Sequence, residues 1–447
     1  MKIVIAGAGD MGFHLAELLV SEKQEIILID TNEDVLDYVK QRLDVYTVRG
    51  DSSSIEVLEN AMVSSAKMFL AVTASEKNNL VSSILAKKMG AKQTIARVHN
   101  SEYLCDTQRS NFLELGIDHL ISPVELAATE IERLVKHCEV TDNFEFEDGK
   151  VILNGITLDD SSGLVGQSIG MVSEGQSGHA FKPVAILRNN EETIVPREHT
   201  VMHSGDHVYF MTTQDEMNPL LTYLGKELKK VKNVMILGGT PLGIKTAQLL
   251  ERKYNVTIVA QTKEQCRVLS ELLDSTLIIK ADPSNIEVLR DEGLDRMDSV
   301  IALTENTETN IIACLSAEKY GVYKTIAAVN NAEYTHISQH IGIDTLINKK
   351  LIAANNIFRF VRKGKVEAIT SLPGVEAEII EYVIQKNNQL TRKPLSKLPL
   401  PTNAMIAAVV REEQSILPQD DFQLALDDKV IVVAADKCIA KVDSLFR

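Results

Sequence analysis

The stretch "VIAGAGDMGFHLAELL", residues 4–19, joins an apolar run, a glycine-rich loop and the start of an amphipathic segment. The apolar run, which ends at Ala6, is typical of a central parallel strand. Gly7, Gly9 and Gly12 follow in Gly-x-Gly-x-x-Gly spacing. In this spacing the first glycine makes a tight turn, the second lets the backbone approach a pyrophosphate, and the third allows close strand–helix packing. The stretch therefore predicts a loop that binds a nucleotide or dinucleotide.

The composition is that of an ordinary folded protein. Of 447 residues, 45% are apolar and 24% are charged, which excludes a disordered chain. At about 100–150 residues per domain, this length predicts roughly three or four domains. The net charge of −15, from 47 Lys+Arg against 62 Asp+Glu, argues against broad nucleic-acid binding. We expect no nucleic-acid partner.

Cysteine usage and hydropathy indicate a cytoplasmic protein. The five cysteines are far apart and form no Cys-x-x-Cys motif, as in proteins of the reducing cytosol without disulfides or zinc sites. No stretch approaches the ~18 consecutive apolar residues of a membrane helix. His199, His203 and His207 are four residues apart, but turn signals between them favour a loop and a strand over a metal-binding helix. We expect no metal site and no membrane insertion of the chain itself.

The sequence repeats itself. At a shift of 231 residues, "IVIAGAGDMGFHLAELL" from Ile3 recurs as "VMILGGTPLGIKTAQLL" from Val234. The same shift aligns "GDSSSIEVL" from Gly50 with "ADPSNIEVL" from Ala281. A register kept over about 100 residues is the signature of a tandem duplication.

Each copy alternates short apolar runs with amphipathic stretches. In the first copy we predict strands over residues 2–6, 26–30, 45–48, 68–73, 94–98 and 119–121, with helices between them, for example over 78–89. This alternation predicts an α/β fold, a Rossmann-like doubly wound parallel sheet, in each copy. A further amphipathic helix, with proline at its first position, is predicted over residues 123–137.

After each copy the composition shifts to short strands separated by turn residues, for example over 184–188 and 207–211. This pattern predicts a small α+β domain. We therefore predict nucleotide-binding domains at residues 1–138 and 230–364, and small α+β domains at 139–225 and 365–447.

Polar residues at strand ends extend the candidate site of the first copy. Asp30 follows Gly12 by 18 residues, where an acidic residue accepts hydrogen bonds from ribose hydroxyls and repels a 2′-phosphate. This favours NAD(H) or an adenine nucleotide over NADP(H). Asp51 and Thr73 end the next strands, and strand-end capping is the alternative for both. Arg97 is placed to counter phosphate charge.

Asp10 is an unusual residue for such a loop, because a carboxylate repels a pyrophosphate unless it points away or holds a cation. The sequence leaves both alternatives open.

The second loop, "GGTPLG" from Gly238, is altered. It keeps Gly238, Gly239 and Gly243 but has Thr240 in place of the middle glycine, and Pro241 removes one amide from an anion cradle. Two further replacements are Gln261 for Asp30 and Ala328 for Arg97. Because a lost charge-assisted contact costs about 1.5–3 kcal/mol, we expect the second pocket to bind weakly, differently or not at all.

The chain resembles, over its whole length, the Trk-type potassium-uptake regulators built of RCK (also called KTN) domains, the family commonly called TrkA. The resemblance rests on "KIVIAGAGDMG" from Lys2, Asp30, "GDSS" from Gly50, "VTASEKNN" from Val72 and "ARVHN" from Ala96. It also rests on the order of the four domains.

The resemblance implies a regulatory gating ring rather than an enzyme. The ring would be a homotetramer, peripheral on the inner face of the cell membrane, on a potassium-translocating subunit of the TrkH/TrkG type. It would bind NAD(H) or ATP/ADP in the first copy, with residues 7–11, Asp30, Thr73, Ala74 and Arg97 lining the pocket. The complete predicted set is Gly7, Ala8, Gly9, Asp10, Met11, Gly12, Asp30, Asp51, Thr73, Ala74 and Arg97.

The remainder of the chain supports the same expectation. A dehydrogenase uses the rest of its chain for a substrate domain with an acid, a base or a metal, whereas here the rest is a repeat and two small domains. We therefore expect no catalytic residues. An NAD-dependent oxidoreductase and a ring without ligand are the alternatives.

Overall fold

The computed structural model describes residues 1–447 except 22, 139, 148, 176–180, 190, 214, 226–229, 331–342, 344, 363–367, 372–374 and 447. The chain forms two compact units. The first contains residues 1–130 and 348–361, and the second contains residues 131–347 and 362–447. Among the described residues, no helix has both the length and the apolar character needed to cross a bilayer.

The first unit is built on a six-stranded parallel sheet. Its strands are β1 (Lys2–Ala6), β2 (Glu25–Asp30), β3 (Tyr46–Arg49), β4 (Met68–Ala71), β5 (Gln93–Arg97) and β6 (His119–Ile121). The helices that follow them are α1 (Asp10–Ser21), α2 (Glu33–Arg42), α3 (Ile55–Asn60), α4 (Glu76–Met89), α5 (Asp106–Glu114) and α6 (Pro123–Lys136). The strand order β3-β2-β1-β4-β5-β6 confirms the predicted doubly wound sheet.

Helices cover both faces of this sheet, so its central strands are apolar, β1 from Ile3 onward and β4 over its whole length. Alternate side chains of β1 point to opposite faces. Ile3 and Ile5 belong to one core cluster, and Val4 and Ala6 belong to the other.

A small antiparallel sheet follows. It contains β7 (Asp142–Phe146), β8 (Val151–Thr157), β9 (Phe181–Arg188), β10 (Glu192–Ile194) and β11 (His207–Thr213), with helices α7 (Ile169–Gly175) and α8 (Met217–Tyr223). The order is β10-β9-β11-β8-β7. His207 opens a strand, as the turn signals predicted. The observed strands confirm a small α+β fold here.

The second copy repeats both sheets. Its parallel sheet, in the order β14-β13-β12-β15-β16-β17, contains β12 (Asn233–Leu237), β13 (Asn255–Ala260), β14 (Leu277–Lys280), β15 (Ser299–Ala302), β16 (Lys324–Ala328) and β17 (Thr345–Ile347). Its helices are α9 (Pro241–Leu250), α10 (Lys263–Leu272), α11 (Ile286–Asp291), α12 (Thr307–Lys319) and α13 (Lys349–Arg362). The identical order in the two halves confirms the duplication.

The last sheet is antiparallel, in the order β18-β19-β22-β20-β21. Its elements are β18 (Ala368–Ser371), β19 (Ala377–Val383), α14 (Gln389–Arg392), β20 (Ala404–Arg411), β21 (Gln414–Ile416), β22 (Lys429–Ala435) and α15 (Ile439–Phe446). The two small sheets share one apolar core, in which Val184 and Tyr209 of the first pack with Ile379 and Val433 of the second.

Helix α13 belongs to the second copy by sequence but completes the core of the first unit. Ala353, Ala354, Ile357 and Phe358 are buried there, in the same cluster as Leu15 of α1. The sequence places this helix in the predicted domain 230–364, since periodicity shows that a helix has an apolar face but not which core it joins. The predicted boundaries remain a prediction, and residues 139, 364 and 365 lie outside the described residues.

Several predicted element ends differ from the structure, and two of them flank the connection between β4 and α4. The strand predicted to reach Thr73 ends at Ala71, and α4 begins at Glu76 instead of 78. Helix α4 begins early because the Ser75 hydroxyl accepts a hydrogen bond from the Asn78 N–H at 3.3 Å and caps it.

Asn79 explains why the chain leaves the sheet at this point. Its fully buried side chain accepts from the Thr73 N–H at 2.9 Å and donates to the carbonyls of Thr73 at 3.1 Å and Arg97 at 2.9 Å. Asn310 repeats these bonds with Thr304 and Ala328 in the second copy. Each asparagine joins the ends of two neighbouring strands.

We predict that Asn79→Ala lowers the free energy of unfolding of the first unit by about 2–4 kcal/mol, because it leaves buried backbone groups without partners. Chemical denaturation measures this change. The exposed Asn60→Ala provides the matched control, with an expected effect within about 0.5 kcal/mol. An Asn79→Ala variant as stable as wild type would show that these bonds do not hold the strand ends.

Candidate nucleotide-binding site

Two glycines of the first loop are required by space. Gly7 has a φ of +102°, and a Cβ added there would lie 2.9 Å from the backbone of Thr73. A Cβ on Gly12 would lie 1.8 Å from the Gly7 carbonyl oxygen. At Gly9, by contrast, an added Cβ meets nothing within 4 Å. The loop is therefore tightly packed at Gly7 and Gly12, and there is open space next to Gly9.

The start of α1 offers backbone donors beside this open space. In the described part of the chain, nothing accepts a hydrogen bond from the amides of Met11 and Gly12, as is usual for the first turn of a helix. The side chains of Ala8 and Met11 are buried in the core, so these two residues present only backbone. Free amides and the helix dipole make this end suited to an anion.

Asp30 ties the loop to the end of β2. Its Oδ2 accepts the Ala8 N–H at 2.8 Å, and its Oδ1 accepts the Asn32 N–H at 2.9 Å. Each carboxylate oxygen has a second lone pair, so Asp30 holds the loop and still has acceptor capacity for ribose hydroxyls. Sequence reasoning predicted the second role and missed the first.

Asp51 and Thr73 make the local bonds expected of strand-end caps. Asp51 Oδ1 accepts from the Ser53 N–H at 2.9 Å and from Asn78 Nδ2 at 2.8 Å. The hydrogen bonds from Ser53, first of all, hold the pKa of Asp51 below its ordinary value. Thr73 is bonded to Asn79, and Ala74 beside it is exposed. Their role in ligand binding stays a prediction.

Arg97 brings a cation to the end of β5. Its Nη2 lies 3.0 Å from Nε2 of His99, and its buried Nε has no hydrogen-bond partner among the described residues. Burial lowers the pKa of Arg97, yet an arginine stays protonated at neutral pH. Burial, followed by the charge of Arg97, also lowers the pKa of His99. An unused charged donor at this edge suits a phosphate.

The second loop has the same backbone turn but a different surface. Gly238 has a φ of +118°, and a Cβ on Gly243 would lie 2.1 Å from the Gly238 carbonyl oxygen. Thr240, at the position of Gly9, accepts the Gly243 N–H at 3.1 Å and donates to the Leu303 carbonyl at 2.8 Å. Its side chain therefore uses the amide that corresponds to the free amide of Gly12. The loop's own Thr240 thus caps the start of α9.

Comparison with known families agrees with both pairs of sheets. The TrkA-N domain matches residues 3–123 and 234–349, and the TrkA-C domain matches residues 155–225 and 379–447. The chain belongs to the TrkA family. This confirms the resemblance drawn from the sequence motifs.

Full-length relatives support this assignment. The "Trk system potassium uptake protein TrkA" of Halomonas elongata is 32% identical over 454 residues, covering 100% of this chain and 99% of the relative. The "Trk system potassium uptake protein TrkA homolog" of Archaeoglobus fulgidus is 31% identical over 448 residues, covering 100% of both chains.

Solved structures show the same fold. The GsuK RCK domain aligns with a TM-score of 0.61 at 15% identity, covering 100% of this chain and 94% of that one. The GsuK channel bound to NAD aligns with a TM-score of 0.61 at 16% identity, covering 100% and 78%. Tandem RCK domains are therefore confirmed as the fold of this TrkA-family chain.

One contact lies beyond what the motifs indicate. Lys350 of α13 forms an ion pair with Asp10, 340 residues earlier in the chain. Of the two alternatives for Asp10, the structure supports the one in which it holds a cation. Sequence reasoning missed Lys350 because no local pattern indicates that a helix of the second copy joins the first loop.

We predict that Gly9→Ala and Gly12→Ala act differently on this TrkA-family chain. Gly12→Ala clashes with the Gly7 carbonyl and should cost about 3 kcal/mol of unfolding free energy. Gly9→Ala meets open space and should change stability by less than about 0.5 kcal/mol, but its methyl group occupies the anion's place and weakens ADP binding. Denaturation and ADP calorimetry of both variants test this. Equal destabilisation by the two variants would contradict the assignment.

Proposed function

We propose that this chain is the regulatory subunit of a Trk-type potassium uptake system. It binds NAD(H) or ATP/ADP at the first loop and couples the bound nucleotide to potassium transport by a membrane subunit of the TrkH/TrkG type. The observation that carries the proposal is the difference between the two loops of one TrkA-family chain. The first has free amides beneath an open space, whereas Thr240 fills the same place in the second.

The choice of ligand rests on the chemistry of the first site. Free amides at the start of α1 and the charged Arg97 suit a pyrophosphate, and Asp30 suits an unphosphorylated ribose. GsuK structures bound to NAD and to ADP carry the same fold. For these reasons we propose Gly7, Ala8, Gly9, Met11, Gly12, Asp30 and Arg97 as the principal contacts, with Asp10, Asp51, Thr73 and Ala74 at the margin.

We propose that the nucleotide is a signal and not a reactant. The polar side chains around the first loop make bonds that hold the fold: Asp30 to Ala8, Thr73 to Asn79, and His99 to Arg97. None of these pairs resembles an activated nucleophile or a proton relay aimed at the open space. Bound NADH should therefore be recovered unoxidised.

The proposed assembly is a homotetrameric ring, peripheral on the inner face of the membrane. Helix α13 is covalently continuous with the second copy and packed in the core of the first, so a change at the first loop acts on an element that both copies share. A preference of about 1–3 kcal/mol per site for one packing is a useful coupling. Several equivalent sites multiply it into a large population shift.

Potassium flux tests this proposal. In vesicles that contain a TrkH-type subunit and this chain, we predict that exchanging ADP for NADH or ATP changes potassium flux, and that Gly9→Asp abolishes the change. The added carboxylate fills the open space and repels the pyrophosphate.

Thr240→Asp is the matched control. It places the same carboxylate at the corresponding position of the second loop, where aspartate is a good helix cap, and should leave the response intact. A Gly9→Asp variant that responds like wild type, or a flux independent of this chain, would overturn the proposal.

A further inference from the structure

The pair between Lys350 and Asp10 joins the two copies at the candidate nucleotide site. Asp10 is the first residue of α1 and follows Gly9, above which the space is open. The Asp10 side chain is 72% exposed and the Lys350 side chain is 32% exposed. The ammonium of Lys350 therefore lies beside the predicted place of the pyrophosphate.

We propose that Lys350 is a phosphate-binding residue of the first site, supplied by the second copy. In the structure its ammonium pairs with Asp10. When a nucleoside diphosphate or dinucleotide binds, the ammonium transfers to the pyrophosphate. This inference rests on the proposed nucleotide site and adds to it a ligand contact outside the glycine-loop motif.

The position of Lys350 is fixed by its surroundings. The Asn348 side chain accepts hydrogen bonds from the Lys350 N–H at 3.0 Å and the Leu351 N–H at 3.2 Å, and Asn348 itself is buried. One turn later, Ala353 and Ala354 are buried in the first core. The backbone at the start of α13 is thus held by the Asn348 cap before Lys350 and by the buried alanines after it. Only the long Lys350 side chain can change its conformation.

The chemistry of the ion pair allows Lys350 to leave Asp10 for a pyrophosphate. An ion pair as exposed as this one contributes little to stability, so little is lost when it opens. An ammonium has three donors, and a pyrophosphate offers more negative charge than one carboxylate, next to free amides and Arg97. Without a cation here, Asp10 would only repel the ligand.

The two copies differ at the start of the helix that follows the last strand of the parallel sheet, as they differ in their glycine loops. In α6, the helix of the first copy that corresponds to α13, the first two residues are Pro123 and Val124 instead of Lys349 and Lys350. Burial, followed by the charges of Arg97 and Lys349, lowers the pKa of His99. Lys349 and Lys350 of α13 therefore add positive potential beside the first loop.

Calorimetry on the full-length chain tests the inference with two probes, ADP and adenosine. We expect Lys350→Gln to weaken ADP binding about 10-fold and to leave adenosine binding unchanged, since adenosine has no phosphate. Lys350→Arg keeps the charge and should restore most of the ADP affinity. Asp10→Asn removes the competing carboxylate and should strengthen ADP binding.

Lys88→Gln is the matched control. Lys88 is an exposed lysine in the last turn of α4, at the opposite edge of the same sheet, and its loss should not change ADP affinity. Thermal unfolding of each ligand-free variant shows whether the fold is intact.

Three results would overturn the inference. Lys350→Gln could bind ADP like wild type, it could lose ADP and adenosine equally, or Asp10→Asn could weaken ADP binding as much as Lys350→Gln. The last two would show that the pair only holds helix to loop. If wild type binds neither ADP nor NADH, the proposed function itself fails, which is a different outcome.

Discussion

In each nucleotide-type domain, a close backbone approach between the glycine loop and the helix that follows it positions the candidate site. Helix α1 passes so near the loop that a Cβ on Gly12 would lie 1.8 Å from the Gly7 carbonyl oxygen, and the equivalent distance at Gly243 is 2.1 Å. This approach holds the first turn of the helix against the ends of the central strands. The first amides of the helix then point to the carboxyl edge of the sheet, where ligands of such sheets bind.

The duplication has kept the contacts that build the fold and changed the contacts at the proposed ligand site. Asn79 and Asn310 make the same bonds between strand ends in the two copies. The middle loop position differs: Gly9 leaves space open, whereas the Thr240 hydroxyl takes up the amide of Gly243. The first loop therefore leaves the Gly12 amide without an acceptor among the described residues, whereas the second loop uses the corresponding Gly243 amide.

Much of this architecture follows from the sequence. The bounds of β1 and β6 and the two-copy order are those predicted, because apolar runs between glycines and helices leave few alternatives for a buried parallel strand. Long-range partners are different. Nothing in the periodicity of α13 indicates that Phe358 packs in the first core, and nothing near Asp10 indicates Lys350. The sequence also does not indicate that Asn79 bonds the ends of two strands, since a polar residue early in a helix usually faces water.

We propose that only the first loop of each chain binds a nucleotide. Equilibrium dialysis of the purified full-length chain against radiolabelled ADP counts the sites directly. The structure predicts saturation at a single ADP per chain, because the Gly243 amide is already occupied by Thr240 in the second loop. Saturation at two ADP per chain with equal affinity, or no binding at all, would contradict this account.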